Sequence, residues 1–222
     1  MSKNNKYISK STNIFMIHGL ISSPLTFIPL ERYIRMNGYI NTHRISYKPD
    51  SSHFEESLQH VNDEILKHLD NKDDEIVVIG QSFGGNISNN LHKMGRNVIK
   101  SICICSPLNG ARLIGRVERK MPRIVNKLLF GKPHEYLKNK HNEEIPPHDF
   151  HTISFGLFKT DFDGRVFKDE TILDKDKHTH IHWCEHMGGF VDPRLFSEVG
   201  KILKCKLFIK KLKKEVTLKC NE

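Results

Sequence analysis

Short apolar runs alternate with longer segments whose apolar residues recur at helical spacing. The short runs predict six β-strands, over 13–17, 40–47, 75–80, 98–105, 151–158 and 178–183. The helical spacing predicts helices over 25–36, 54–69, 84–94 and 192–203. The run at 75–80 is apolar on both faces, which is typical of a strand buried in a parallel sheet. The alternation therefore predicts an α/β fold, with a mostly parallel central sheet and helices on both faces.

Residues 108–147 interrupt this alternation. The segment is basic in its middle and ends in Ile145-Pro146-Pro147. We expect a short helical excursion over the sheet. Two interpretations stay open: a lid over a site, or a plain connecting helix.

The length of 222 residues fits a single domain over 1–222, with a polar N-terminal tail at 1–12 and a basic C-terminal extension at 205–222. No apolar run approaches the roughly 18 residues that a membrane-spanning helix needs. The first residues are polar and lysine-rich, without the apolar core of a secretion signal. These features predict an intracellular, cytoplasmic protein with no signal peptide and no transmembrane segment.

The formal net charge is +9, and lysines are concentrated near the C-terminus. This extension either contacts an anionic membrane peripherally or continues the last helix across the sheet. No nucleic-acid-binding motif accompanies the charge, so a nucleic-acid partner is not expected. The five cysteines predict buried, reduced thiols rather than a disulfide framework. Cys103 and Cys105 are expected to share one face of a strand.

The run Gly80-Gln81-Ser82-Phe83-Gly84 directly follows a predicted strand and opens a predicted helix. A tight strand-to-helix turn leaves no space for side chains on its flanks, which explains a glycine two residues before and two after the serine. The serine stands at a helix N-terminus, where backbone N–H groups favour developing negative charge. Ser82 is therefore the predicted nucleophile; the alternative is an ordinary helix-capping serine.

Upstream, the run Phe15-Met16-Ile17-His18-Gly19-Leu20 ends a predicted strand in His-Gly. Together with the serine motif, it resembles the α/β-hydrolase superfamily, and within it the small serine lipase and esterase branch. The resemblance implies the α/β-hydrolase fold. It also implies an oxyanion hole formed by the backbone N–H groups of Leu20 and Phe83, with His18 shaping the loop.

In this family the catalytic groups follow the order serine, acid, histidine. Residues 160–167 resemble the family's Asp-Gly-x-Val turn, which makes Asp163 the implied acid, with Asp161 as the alternative acid. Residues 184–190 precede Asp192-Pro193-Arg194, a helix start with proline at its first position. The histidine in that segment, His186, is the implied base.

Three further histidines, His178, His180 and His182, alternate and would share one strand face. With His186 they raise the question of a metal site, but their spacing matches no known ligand signature. We therefore predict no metal, and no organic cofactor is needed. An exposed edge strand, or contact with the acid-bearing loop, is the expected role of the three.

These features predict a serine hydrolase that cleaves a carboxylic ester, of a small molecule or a lipid, through an acyl-serine intermediate. Thioesterases and acyltransferases share this chemistry, so they remain alternatives on the same scaffold. A non-catalytic hydrolase-like binding module is the alternative of a different class.

Overall fold

The computed structural model describes residues 8–20, 22–48, 53–112, 136–137 and 144–204. In these ranges six strands form one sheet in the order β2-β1-β3-β4-β5-β6, and every neighbouring pair is parallel. The strands are β1 (Asn13–Ile17), β2 (Thr42–Ile45), β3 (Ile76–Gln81), β4 (Val98–Ile104), β5 (Asp149–Gly156) and β6 (His178–His182). The predicted parallel α/β sheet is confirmed.

Five α-helices with described bounds accompany the sheet: α1 (Ile28–Met36), α2 (Phe54–Leu66), α3 (Phe83–Asn90), α4 (Lys168–Thr171) and α5 (Pro193–Ile202). Helices α1 and α5 contribute to one apolar cluster, which includes Met16 and Ile79. Helices α2 and α3 contribute to a second cluster, which includes Phe15 and Val78. Because successive strand residues point to opposite faces, β1 and β3 contribute apolar side chains to both clusters.

Most elements differ from the sequence prediction by one to four residues at an end, and one helix was not predicted. β5 begins at Asp149 rather than at residue 151, because Asp149 forms ion pairs with Lys100 of β4 and with Lys177. A strand that begins with a charged residue of this kind cannot be recognised from the hydrophobic pattern. Helix α4 was not predicted; it is a single turn whose start is capped by Glu170 Oε2, which accepts from the Phe167 N–H at 2.8 Å.

Several predicted segments lie outside the described residues. These are 113–135 and 138–143 of the excursion, residues 1–7 of the N-terminal tail, and the whole extension 205–222. Tyr136, which is described, stacks on Phe54 with ring centroids 3.7 Å apart and presents its edge to Phe83. The excursion therefore contacts the start of α3. None of the described helices is both long and apolar enough to cross a bilayer.

Candidate active site

Ser82 joins β3 to α3 in a strained backbone conformation. Its φ is 51° and its ψ is −123°, a region that non-glycine residues rarely adopt. The turn is fixed by hydrogen bonds from the Ser82 N–H to the Ile104 carbonyl at 2.8 Å and from the Gly85 N–H to the Ser82 carbonyl at 2.9 Å. Ser82 is partly exposed between two buried neighbours. Strain of this kind is concentrated at functional sites.

The two glycines of the motif are required by close backbone approaches. A Cβ added to Gly80 would lie 2.3 Å from the Gly84 carbonyl oxygen, and one added to Gly84 would lie 2.2 Å from the Ile17 carbonyl oxygen. Neither contact is possible for a real side chain. The tight turn inferred from the glycine spacing is thus present, and it brings α3 onto the end of β1.

The predicted oxyanion loop lies against Ser82. Strands β1 and β3 are neighbours, with Ile17 opposite Gly80, so the chain leaving β1 emerges beside the nucleophile turn. A Cβ built on Gly19 would lie 3.0 Å from Ser82 Cβ and 3.7 Å from Ser82 Oγ. Leu20 follows in this loop, and Phe83 is the first residue of α3.

His18 holds the shape of this loop. Its ring is buried, and its Nδ1–H donates to the Gly19 carbonyl at 2.9 Å. The Tyr47 hydroxyl donates to the His18 carbonyl at 2.7 Å. Burial lowers the pKa of His18, so the ring is neutral at physiological pH. These contacts match the structural role expected for this histidine.

Asp163 and His186 form a buried hydrogen-bonded pair. His186 Nδ1 donates to Asp163 Oδ2 at 2.7 Å, and the two residues are only 4% and 2% exposed. The other carboxylate oxygen accepts the backbone N–H groups of Arg165 at 2.8 Å and Val166 at 2.7 Å. The His186 N–H also donates to the Asp163 carbonyl at 3.0 Å. The loops after β5 and β6 are therefore fixed to each other.

Asp161, the alternative acid, is placed differently. Its side chain is 66% exposed and lies 3.5 Å from Lys168 Nζ and 3.6 Å from His180 Nε2. The structure thus pairs His186 with Asp163 and leaves Asp161 on the surface of the same turn.

Gln81, next to Ser82, links the oxyanion loop to the histidine loop. Its Oε1 accepts from Ser22 Oγ at 3.1 Å, and its Nε2 donates to Met187 Sδ at 3.3 Å. Gln81 is fully buried. Sequence analysis missed this role, since its partners lie 59 and 106 residues away along the chain.

Two of the three alternating histidines of β6, His178 and His180, hydrogen-bond hydroxyl groups. His178 hydrogen-bonds Thr152 Oγ1 at 2.8 Å and Ser154 Oγ at 2.9 Å, and His180 Nδ1 hydrogen-bonds Ser154 Oγ at 2.7 Å. Burial lowers the pKa of His178 to about 4. His180 Nε2 lies 3.3 Å from the Thr160 carbonyl, in the acid-bearing segment. The expected contact with the acid loop is therefore made, from the edge strand of the sheet.

One group of side chains has the composition of a metal site. Ligand atoms of Cys105, Asp163 and His186 all lie within 4.8 Å of one another. However, two ligands of a tetrahedral zinc ion stand roughly 3.3 Å apart, given bonds of about 2.0–2.1 Å. The 2.7 Å between His186 Nδ1 and Asp163 Oδ2 is instead a direct hydrogen bond.

The prediction that Cys103 and Cys105 share one strand face is wrong. Cys103 Sγ donates to the Gly85 carbonyl of α3 at 3.4 Å. Cys105 lies beyond the end of β4, with a φ of 49°, and packs in the opposite apolar cluster with Phe155. The left-handed residue ends the alternation of side chains along the strand.

No protein-family model matches this sequence, and no curated protein is significantly similar to it. Solved structures are similar to it. The mature lipase BlEst2 of Bacillus licheniformis has a TM-score of 0.64 at 15% identity, over 90% of this chain and 94% of that chain. Its propeptide form has a TM-score of 0.66 at 15% identity, over 91% of this chain and 52% of that chain. The chain thus spans about half the length of that form.

Two further structures extend the comparison. The esterase RhEst1 of Rhodococcus sp. ECU1013 has a TM-score of 0.57 at 13% identity, over 89% of this chain and 92% of that chain. An α/β hydrolase from the metagenome of lagoon sediments at Mar Chica, Morocco, has a TM-score of 0.54 at 17% identity, over 86% of this chain and 91% of that chain. The chain therefore has the α/β-hydrolase fold. Its structural neighbours include a lipase and an esterase of that fold.

Proposed function

We propose that this protein is a serine hydrolase that cleaves carboxylic esters through an acyl-serine intermediate. The observation that carries the proposal is the buried hydrogen bond of 2.7 Å between His186 and Asp163. Both residues follow strands that run parallel to β3, so they emerge at the same edge of the sheet as Ser82. The lipase and esterase among the similar structures favour an ester as substrate.

The hydrogen bond assigns the proton positions on the base. Because His186 Nδ1–H donates to the carboxylate, Nε2 is the nitrogen left to accept a proton. Asp163 Oδ1 already accepts two backbone N–H groups, which favour the ionised carboxylate. Asp163 therefore orients the ring and stabilises the imidazolium without taking up a proton itself.

The proposed reaction has two halves. His186 Nε2 removes the proton of Ser82 Oγ, which attacks the ester carbonyl carbon, and the resulting oxyanion accepts the Leu20 and Phe83 N–H groups. The C–O bond to the alcohol then breaks, and the alcohol leaves with the proton from His186. Water, deprotonated by the same nitrogen, attacks the acyl-serine. The bond between the acyl carbon and Ser82 Oγ then breaks, Oγ takes the proton back from His186, and the carboxylic acid is released. No metal or organic cofactor takes part in these steps.

Ser82→Ala and Ser88→Ala form a matched pair for testing the nucleophile. Ser88 lies in α3 and donates to the Gly84 carbonyl at 2.9 Å, so it is a buried structural serine close to the site. We expect a fluorophosphonate probe to label wild type and Ser88→Ala but not Ser82→Ala. A folded wild-type protein that resists labelling would contradict the proposal and favour the non-catalytic binding module.

The substrate class is tested by p-nitrophenyl esters of rising chain length, each assayed beside the thioester of the same acyl group. We expect the oxoesters to be hydrolysed with the higher kcat/KM. A consistent preference for thioesters would reassign the protein as a thioesterase. Transfer of the acyl group to an added alcohol faster than to water would reassign it as an acyltransferase.

A further inference from the structure

Cys105 adopts a backbone conformation that is costly for its residue type. Its φ of 49° lies in the left-handed region, which costs roughly 1–2 kcal/mol for a residue with a Cβ. The conformation is fixed by the hydrogen bond from its N–H to the Ile153 carbonyl at 2.7 Å. As a result its side chain leaves the face that Cys103 occupies. Backbone strain of this kind is concentrated at functional sites, which makes the redirected side chain a candidate for a functional role.

The redirected thiol lies beside the acid and the base. Cys105 Sγ, a carboxylate oxygen of Asp163 and a ring nitrogen of His186 lie within 4.8 Å of one another, and all three residues are buried. The thiol therefore lies next to the Asp163 carboxylate and the His186 ring. Burial, followed by the nearby carboxylate, raises the pKa of Cys105 well above its ordinary value. At neutral pH this group is therefore an S–H donor and not a thiolate nucleophile.

We propose that Cys105 is a positioning residue, whose S–H donates to the Asp163 carboxylate and helps to hold it against His186. The inference rests on the proposed function, because it concerns the same acid and base. The thiol joins the N–H groups of Arg165 and Val166 and the imidazole, giving the carboxylate four donors. An ionised carboxylate offers about four lone-pair sites, so its acceptor capacity is filled.

The fourth donor has a chemical consequence for the base. A hydrogen bond to the carboxylate withdraws part of the negative charge that His186 faces. Without the thiol, the carboxylate would hold the protonated imidazole more strongly, and the base would become available only at higher pH. The carboxylate would also gain rotational freedom. Loss of the thiol should therefore change both the rate and its pH dependence.

The test compares Cys105→Ala and Cys105→Ser with Cys103→Ala, a buried cysteine two residues away whose thiol faces α3. For Cys105→Ala we expect kcat on a p-nitrophenyl ester to fall about tenfold with KM nearly unchanged. The acidic limb of its kcat/KM profile should move about half a pH unit upward. Cys105→Ser keeps a hydrogen-bond donor, so its kcat and its acidic limb should be close to those of wild type. Cys103→Ala should change neither kcat nor the acidic limb.

Two outcomes would overturn the proposal. One is an unchanged kcat and acidic limb in Cys105→Ala; the other is a Cys105→Ser variant as impaired as Cys105→Ala, which would make the thiol a space-filling group. If Cys105→Ala does not fold, Cys105→Gly removes the same donor while relieving the left-handed strain.

A second measurement separates this proposal from the proposed function. An NMR titration of the His186 ring measures the midpoint of its protonation without any catalytic turnover. We expect that midpoint to rise in Cys105→Ala and to stay near wild type in Cys105→Ser and Cys103→Ala. An unchanged midpoint of the His186 titration in Cys105→Ala would contradict the positioning role, even if the protein hydrolyses esters. Failure of the proposed function would appear instead as a wild-type protein that no fluorophosphonate labels.

Discussion

Gly84→Ala should separate the two halves of the proposed oxyanion hole. The added Cβ would lie 2.2 Å from the Ile17 carbonyl oxygen and 2.4 Å from that of His18. Carbon and oxygen atoms that are not bonded approach to only about 3.2 Å, so α3 and the end of β1 must move apart by about 1 Å. Both obstructing atoms are backbone, so no side-chain rotation relieves the contact.

The size of the effect follows from this displacement. Overpacking in a core costs typically 1–3 kcal/mol, and with a rigid backbone on both sides we expect about 3 kcal/mol of lost unfolding free energy. Phe83 is the first residue of α3, and Leu20 lies in the loop after β1. The displacement therefore moves the Phe83 N–H away from the Leu20 N–H. Loss of one oxyanion donor lowers kcat by about 100- to 1000-fold, so we expect at least about a 100-fold decrease.

The assay measures kcat on a p-nitrophenyl ester and unfolding in urea for Gly84→Ala and for Gly95→Ala. A Cβ on Gly95 meets no atom within 4 Å, but the φ of +74° disfavours a side chain. Gly95→Ala should therefore lose about 1 kcal/mol of stability while kcat stays unchanged. A folded Gly84→Ala enzyme that turns over within about threefold of wild type would refute the reasoning.

Three further predictions concern charged groups. On the same ester, Asp163→Asn should lower kcat by about 10,000-fold and Asp161→Asn by less than about threefold, and the reverse order would exchange their roles. Because burial lowers the pKa of His178 to about 4 from 6.5, the unfolded chain binds its proton first as the pH falls. The whole shift is worth about 3 kcal/mol, which solvent screening of this partly buried ring reduces to about 1 kcal/mol, so the free energy of unfolding should drop by about 1 kcal/mol between about pH 6.5 and 4. Urea titrations of His178→Asn should show a smaller drop, and an equal drop would contradict this assignment. Asp149→Asn leaves the buried ammonium of Lys100 without its partner and should cost about 3 kcal/mol in urea unfolding at pH 7, whereas a loss under about 0.5 kcal/mol would show that the pair is screened by water.

The sequence predicted those parts of the fold and site that depend on local pattern. Parallel strands buried on both faces leave unbroken apolar runs, and β1 begins and ends at the predicted residues. The turn at Ser82 was recognisable because its close approaches admit only glycine two residues before and after the serine. Both signals arise from neighbours along the chain.

Local sequence pattern could not decide which of the two aspartates in the turn after β5 pairs with His186. Asp161 and Asp163 are two residues apart and have the same chemistry. They differ in burial, which depends on the loop that carries His186 and is brought alongside only by tertiary folding. The role of Asp163 was inferred from a resemblance, and the turn residues themselves left both open.

Cys105 and Gln81 show a second limit. Alternation along a strand assumes a repeating backbone, and one residue with a φ of 49° was enough to send Cys105 to the opposite face. No hydrophobic pattern encodes such a residue. The partners of Gln81 lie on two different loops, so its linking role depends on the whole sheet being assembled.

The all-parallel strand order also governs when the proposed activity should appear during refolding. A parallel pair needs a crossover connection, so none of the five pairs described here arises from a local hairpin, and folds built on distant pairings form slowly. The turn at Ser82 needs only β1, β3 and α3, whereas the pairing of Asp163 with His186 needs β5 and β6 as well. The single tryptophan, Trp183, directly follows β6. Its fluorescence should reach the native value together with the return of the proposed ester hydrolysis, after the first half of the sheet has formed.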